Sequence, residues 1–464
     1  MRGDDMMNGA ERLRRELLIR LVREFMAGTL EEMIDRIPLE MRPKDASASR
    51  CCVYHDRAVL RYRIMAALGV SPLDETDELK PLKEYLREMD AGQKPQYPIA
   101  VCEPACNGCP DSRIVVTPNC QGCFSRPCVY VCPKGAISVE NQRSQIDYSK
   151  CIKCGKCLSV CPFNAIMKTT VPCEEACPVN AIRKNEQGCA EIDFQRCIFC
   201  GKCFAKCPFG AVMERSQMLS VLSAIRDGKK VVALVAPSAQ AQFPGTIEQL
   251  FSAISAAGFV DVIEVALGAE CTTEHEASEF LEKMHEGQKL MTTSCCPAYV
   301  QLVHKHVPDF EKYVSATASP MKYAGKIARQ KYPDGINVFI GPCIAKRYEA
   351  TQAENIEMVL TFEELGALLS GMKIDIMAQK PWTLPRPAVA TARNFMRSCG
   401  VTQAVLEELT LPEGFHLHTE FIDGVDRKTA GKLRSCASPR SEVNFLEVMA
   451  CQGGCVGGPC SLVK

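Results

Sequence analysis

Two cysteine runs in this chain share one spacing, and that spacing has a definite chemistry. CIKCGKCLSVCPFNAI at 151–166 returns as CIFCGKCFAKCPFGAV at 197–212. Each follows C-x2-C-x2-C-x3-C-P, with Cys151, Cys154, Cys157 and Cys161 in the first and Cys197, Cys200, Cys203 and Cys207 in the second. Such a run lets one tight loop hold three corners of a 4Fe-4S cubane while the cysteine before proline reaches a neighbouring cluster. A third run, Cys120, Cys123, Cys128 and Cys132, carries two extra residues before its third cysteine. Four-thiolate zinc sites also use C-x2-C pairs but do not usually repeat this run, so iron-sulfur chemistry is the expectation.

The endings CPKGAI from Cys132 and CPVNAI from Cys177 repeat more weakly, giving four half-repeats and two tandem ferredoxin-like modules. Crossed ligation assigns Cys120, Cys123 and Cys128 with Cys161 to one cluster, and Cys151, Cys154 and Cys157 with Cys132 to a second. A third takes Cys197, Cys200 and Cys203 with Cys177. The remaining half-repeat keeps only Cys173 and Cys177. Cys173, Cys189 and Cys207 are left for a fourth cubane, with Cys102, Cys106 and Cys109 as candidate helpers.

The second half holds three separated cysteine motifs: TTSCCPAY around Cys295 and Cys296, GPCIAKRYE around Cys343, and EVMACQGGC with Cys451 and Cys455. None has the local loop of a ferredoxin cluster. Four thiolates from three distant loops point to a cluster buried where lobes meet, with Gly453 and Gly454 allowing close backbone approach. These segments resemble the signature motifs TSCCP, PCxxKxxE and ExMACxGGC of the FeFe hydrogenases, in that family's order, over roughly residues 220–464.

The resemblance implies an H-cluster, a 4Fe-4S cubane bridged by a cysteine to a two-iron unit carrying carbon monoxide, cyanide and an azadithiolate. By motif position Cys296, Cys343, Cys451 and Cys455 would hold the cubane, Cys455 would bridge, and Cys295 would be the proton-transfer thiol. Lys346, Pro237, Ser238 and Ser319 would contact cyanide, and Met449 would cover the iron. The family's outward proton route runs through two glutamates and a serine, and aligning EHEASE with it would make them Glu279, Ser315 and Glu276, with Glu349 near the same route. The implied reaction is 2H+ + 2e- = H2, with ferredoxin as electron partner and maturation proteins supplying the two-iron unit. Gly341, where better-known members have methionine, Tyr299, where they have tryptophan, and the VGGPC ending suggest a divergent, monomeric group B type. A non-catalytic redox sensor or assembly factor is the rival reading, and an electron carrier joined to an unrelated domain leaves the three ordered motifs unexplained.

Elements must carry these groups. Residues 1–95 read as a helical preface, since Leu13, Leu17, Leu21 and Phe25 form a helical stripe. Within it, Cys51 and Cys52 are expected to be buried small residues. Residues 96–215 are the tandem ferredoxin-like region, and 220–464 alternate strand-like runs (VVALVAPS, VDVIEVAL, INVFIGP) with helical ones, so an α/β domain is expected. The resemblance makes it two-lobed, and the whole chain a multidomain α+β and α/β protein. With 55 basic and 55 acidic residues there is no charge excess for nucleic acid or an anionic membrane. No apolar run approaches the roughly 20 residues of a membrane span, and the first helix is no signal core. A reducing cytoplasm is the expected setting for 29 cysteines at metal-site spacing.

Overall fold

The computed structural model describes residues 8–89, 94–106 and 108–463. The chain divides into two compact units, one of Met1–Cys106 with Cys177–Lys464 and one of Asn107–Ala176.

The larger unit begins with helices. Asn8 and Glu11 exchange the reciprocal bonds of a capping box at the start of helix Gly9–Ala27. Leu17, Leu21 and Phe25 are buried on its inner face, as their spacing predicts. That face approaches helix Phe362–Gly371 closely, because a Cβ on Gly371 would stand 2.5 Å from Val22 Cγ1. The expectation for Cys51 and Cys52 fails: Cys51 is exposed and Cys52 half-buried. They precede helix Val53–Ala67 rather than share its inner stripe of Val59, Leu60 and Ile64, and Cys51 Sγ turns to His55 Nδ1 at 3.1 Å. Strand β1 (Ile99–Val101) closes this N-terminal part.

The smaller unit is built as a repeat. Strands β2 (Arg113–Val116) and β5 (Ile166–Thr169) pair antiparallel, as do β3 (Ile137–Glu140) and β4 (Arg143–Ile146). Asn141 and Gln142 take positive φ of 50° and 60° in the β3–β4 turn, as a two-residue hairpin loop demands. Ile114, Ile137 and Ile166 pack with Cys128 and Cys157 into its small core. So little apolar material is marginal for a unit of this size, and metal ligation is the usual remedy.

Back in the larger unit, β6 (Ile182–Lys184) and β7 (Ala190–Ile192) form another hairpin, and β8 (Val212–Glu214) pairs antiparallel with β1. Strands β9 (Val231–Val235), β10 (Asp261–Glu264), β12 (Ile336–Gly341) and β13 (Met358–Thr361) form a wholly parallel sheet in the order β10-β9-β12-β13. Every residue of β9 is buried, which is why VVALV reads as a continuous apolar run. A second parallel sheet has β11 (Met291–Thr292), β14 (Thr419–Asp423) and β15 (Phe445–Met449) in the order β11-β15-β14. Helices Val265–His285 and Pro320–Lys331 cross closely at Gly268, where a Cβ would lie 2.1 Å from the Pro320 carbonyl oxygen. The multidomain α+β and α/β class is what the chain adopts. VDVIEVAL, read as one run, divides into β10 and the start of helix Val265–His285. Among the described residues no helix is long and apolar enough to cross a membrane.

Candidate active site

Three parallel strands end at cysteines. β11 leads to Cys295 and Cys296, β12 to Cys343, and β15 to Cys451 and Cys455. Cys296 and Cys343 immediately precede helices Pro297–His306 and Ile344–Thr351, and β9 leads to Pro237 and Ser238. Carboxyl ends of parallel strands are where open α/β sheets bind ligands, and helix N-termini there offer partial positive charge to an anionic group. The loop after β15 requires its glycines. Gly453 and Gly454 have φ of 75° and 84°, and a Cβ on Gly454 would lie 2.6 Å from the Met396 carbonyl oxygen.

These loops enclose a cavity of about 880 Å³, counting its open mouth. Cys295, Cys296, Cys343, Cys451, Cys455 and Lys346 line it together with Pro237, Ser238 and Met449. Ser319 stands outside the wall, beside Pro320, which is in it. Burial pushes Cys343 up to about 12 and Cys455 up to about 11, raises Cys451 as well, and the neighbouring thiols add repulsion. Four thiolates gathered here need a compensating cation, so the donor set fits a thiolate-bound iron cluster. Among the described residues no three Cys, His, Asp or Glu side chains gather closely enough for a single ion. Thiols around a cubane stand farther apart than the ligands of one ion. The Oγ atoms of Ser238 and Ser319 are buried without a partner among the described residues, which leaves two donors for an anionic cofactor group.

Lys346 is buried, and its Nζ lies 2.6 Å from Glu349 Oε2 and 3.3 Å from the Cys295 carbonyl oxygen. Burial opposes its charge, but Glu349 and the nearby thiols prevail and hold its pKa above the ordinary lysine value. Glu349 is therefore the ion-pair partner of Lys346. The other acids lie on helix Val265–His285. Glu276 Oε1 accepts from the Ser294 backbone N–H at 3.1 Å, next to Cys295, while its Oε2 has no partner among the described residues. Glu279 Oε2 accepts from Ser315 Oγ at 2.6 Å and Thr317 Oγ1 at 2.8 Å, and Oε1 pairs with Lys283 Nζ at 2.7 Å. Glu279 thus reaches Ser315 directly, and Glu276 reaches the cysteine pair through Ser294. Sequence reading missed Ser294 and Thr317, whose serine and threonine identities carry no spacing signal.

Burial raises Glu276 to about 8, with the charges of Glu279 and Glu447 adding to it. Unfolded, this carboxyl would titrate near 4.3, so between about 4.3 and about 8 the native chain holds a proton that the unfolded chain has lost. Stability from this group therefore falls as pH rises through that window. Glu276→Gln is expected to flatten the fall of the denaturant midpoint between pH 4.5 and 8. A slope equal to that of the wild type would count against a protonated Glu276.

The cluster loops are placed as follows. Cys132, Cys151, Cys154 and Cys157 line one cavity of the smaller unit, of about 360 Å³, in the combination that crossed ligation assigns. Cys120 and Cys161 there accept backbone N–H bonds from Ser144 at 3.5 Å and Ala165 at 3.4 Å, and Cys128 Sγ lies 3.4 Å from Ser144 Oγ. In the larger unit Cys177 raises the thiol pKa of both Cys197 and Cys200, after burial as the main cause. Cys200 also lines the large cavity, so a cluster held there would border the strand-end site. The spacing of the sequence does not reveal that proximity.

A cavity walled by cysteines from three strand ends, with cluster loops beside it, defines an iron-sulfur redox protein. Residues 229–459 match the family described as "Iron only hydrogenase large subunit, C-terminal domain", residues 144–167 a 4Fe-4S binding domain, and residues 168–218 the LdpA Fe-S cluster-binding domain. The chain is 30% identical over 371 residues to the periplasmic [Fe] hydrogenase large subunit of Nitratidesulfovibrio vulgaris, covering 68% of this chain and 85% of that one. It is 27% identical over 394 residues to iron hydrogenase 1 of Clostridium pasteurianum, covering 70% of this chain and 66% of that one, just under two thirds of the relative's length. It is also 27% identical over 119 residues to the cytosolic Fe-S cluster assembly factor NAR1 of Eremothecium gossypii, covering 25% of this chain and 26% of that one. The chain belongs to the iron-only, or FeFe, hydrogenase family of oxidoreductases.

Proposed function

We propose that this chain interconverts protons, electrons and molecular hydrogen at an H-cluster in the strand-end cavity. The observation that carries this reading is the convergence of Cys296, Cys343, Cys451 and Cys455 with Cys295 and Lys346 on one largely apolar space. Cys296, Cys343, Cys451 and Cys455 would hold the cubane and, beside it, the two-iron unit. When bound, that unit supplies the site at which two protons and two electrons combine to H2. Lys346 and Ser238 would donate to its anionic groups, with Ser319 just behind the wall, while Pro237 and Met449 would exclude water. Cys295 keeps a proton on Sγ because burial disfavours its thiolate. Ser294 with Glu276, then Ser315 with Glu279, carry protons between that thiol and the surface. Cys177, Cys197, Cys200 and Cys203 would hold a 4Fe-4S cluster bordering the cavity, which would supply electron transfer from ferredoxin in the cytoplasm.

A second reading, an iron-sulfur assembly factor or redox sensor, is favoured by the NAR1 similarity. The deciding experiment is anaerobic purification after co-expression with hydrogenase maturation proteins, followed by infrared spectroscopy and assay with reduced ferredoxin. Iron-bound carbon monoxide and cyanide bands together with hydrogen evolution are expected. Correctly matured protein without those bands would sink the hydrogenase reading.

A further inference from the structure

The ferredoxin-like segment of the larger unit repeats the smaller unit bond by bond. In the smaller unit Thr117 donates its backbone N–H to the Ala165 carbonyl at 2.7 Å, and β2 pairs with β5 so that Val116 faces Ile166. In the larger unit Cys102 donates to the Ala211 carbonyl at 2.8 Å, and β1 pairs with β8 so that Val101 faces Val212. Asp147 donates to Ala136 and Asp193 to Ala181, both at 2.8 Å, so hairpin β6–β7 matches hairpin β3–β4 and Ala190 matches Ser144.

Two thiols then fall on equivalent bonds. Ser144 N–H donates to Cys120 Sγ at 3.5 Å, and Ala190 N–H to Cys106 Sγ at 3.2 Å. Ala165 N–H donates to Cys161 Sγ at 3.4 Å, and Ala211 N–H to Cys207 Sγ at 3.2 Å. Backbone N–H bonds to sulfur are among the contacts that stabilise and tune cluster thiolates. Cys106 and Cys207 therefore occupy the places that Cys120 and Cys161 hold in the first cluster. Cys102 takes the place of Thr117, which carries no ligand, and Cys189 that of Arg143. Along the chain the same register continues, since Cys106-x2-Cys109 and Cys173-x3-Cys177-Pro178 read as one half-repeat interrupted by 63 residues. The half-repeat that looked depleted is split.

A charge points the same way. Arg63 is buried beside this segment, with Nη2 donating to the Phe209 carbonyl at 3.2 Å. Among the described residues it makes no ion pair, and its Nε has no partner. A buried guanidinium requires a counter-charge, and a cubane with four thiolates is an anion.

We propose that Cys106 and Cys207 are ligands of a further 4Fe-4S cluster, held by a second ferredoxin-like module whose first cysteine loop lies upstream of the inserted first module. This goes beyond the hydrogen reaction and rests only on the cluster-binding reading of the repeats, so the test counts iron and does not depend on hydrogen turnover. The full chain is made without maturation proteins, reconstituted anaerobically with iron and sulfide, and assayed for iron per chain and for the electron paramagnetic resonance of the reduced protein. Wild type is expected to hold about 20 iron atoms, five cubanes including the one at the strand ends, rather than about 16. Cys106→Ala and Cys207→Ala are each expected to lose about four, and the double variant no more than either alone. Cys102→Ala and Cys189→Ala should keep all of them. Full iron in folded Cys106→Ala or Cys207→Ala protein overturns the proposal. Where neither variant folds, a wild-type count of about 16 overturns it as well.

Discussion

Cys295→Ala is expected to lower hydrogen turnover by at least about 100-fold while leaving iron content and infrared bands unchanged, since a positioned proton donor contributes roughly 10²–10⁴ to rate. The thiol is only 8% exposed and lines the cavity, yet it is not among the four thiols assigned to the cubane. Burial and the nearby Glu276 keep it protonated far above neutral pH. A group that never ionises in the resting protein can still hand over its proton when a stronger base develops beside it, provided a chain of groups reprotonates it. Glu276, bonded to Ser294 immediately before the cysteine pair, is the nearest candidate for that chain. Cys295→Asp, which restores an exchangeable proton, should recover part of the turnover. Undiminished hydrogen evolution by folded, fully loaded Cys295→Ala protein would falsify the role.

Arg347→Met is expected to destabilise the chain by about 3–5 kcal/mol, the range for breaking a buried ion pair by removing one partner. Arg347 is 3% exposed in its side chain, contacts Glu364 directly and lies 3.7 Å from Glu214. Burial works against its charge, and the two carboxylates outweigh it. Without the guanidinium, Glu364 and Glu214 would be buried near each other with no cation between them, and Glu214 already sits at about 8 because of burial and Glu364. Arg347 also donates to the Arg215 carbonyl at 3.0 Å, so it fixes helix Ile344–Thr351, whose Cys343 end and Lys346 face the cavity. The denaturant midpoint measures the loss, and adding Glu364→Gln should restore part of it. A shift below about 1 kcal/mol would place the network near the surface-pair range instead.

The ends of the strands were readable because their chemistry is local. TSCC, PCIAK and ACQGGC each combine ligand, helix start or tight turn in a few residues, and the structure gathers the predicted Cys295, Cys296, Cys343, Lys346, Cys451 and Cys455 around one space. The alternation of VVALV and INVFIG with helical stretches was legible as an α/β domain for the same reason. What escaped was long-range. Cys200 lines the strand-end cavity although its motif speaks only of its own cluster. The pairing of β1 with β8, which joins residues over 100 positions apart, leaves no trace in spacing, so Cys106 read as a helper among several. Glu349, expected near the proton route, also pairs with Lys346 one helical turn away.

The second parallel sheet has a temporal meaning as well. Its middle strand, β15, comes after both outer strands in the sequence, and β11 and β14 meet only through it. A ribosome that has released Cys296 must add 159 more residues before Cys455 exists, roughly 10–30 s at ordinary synthesis rates. During that interval β11 and β14 have no partner and the cavity lacks a wall. The site thus closes only after Cys455 has emerged, so an iron cluster cannot be received there by a shorter nascent chain.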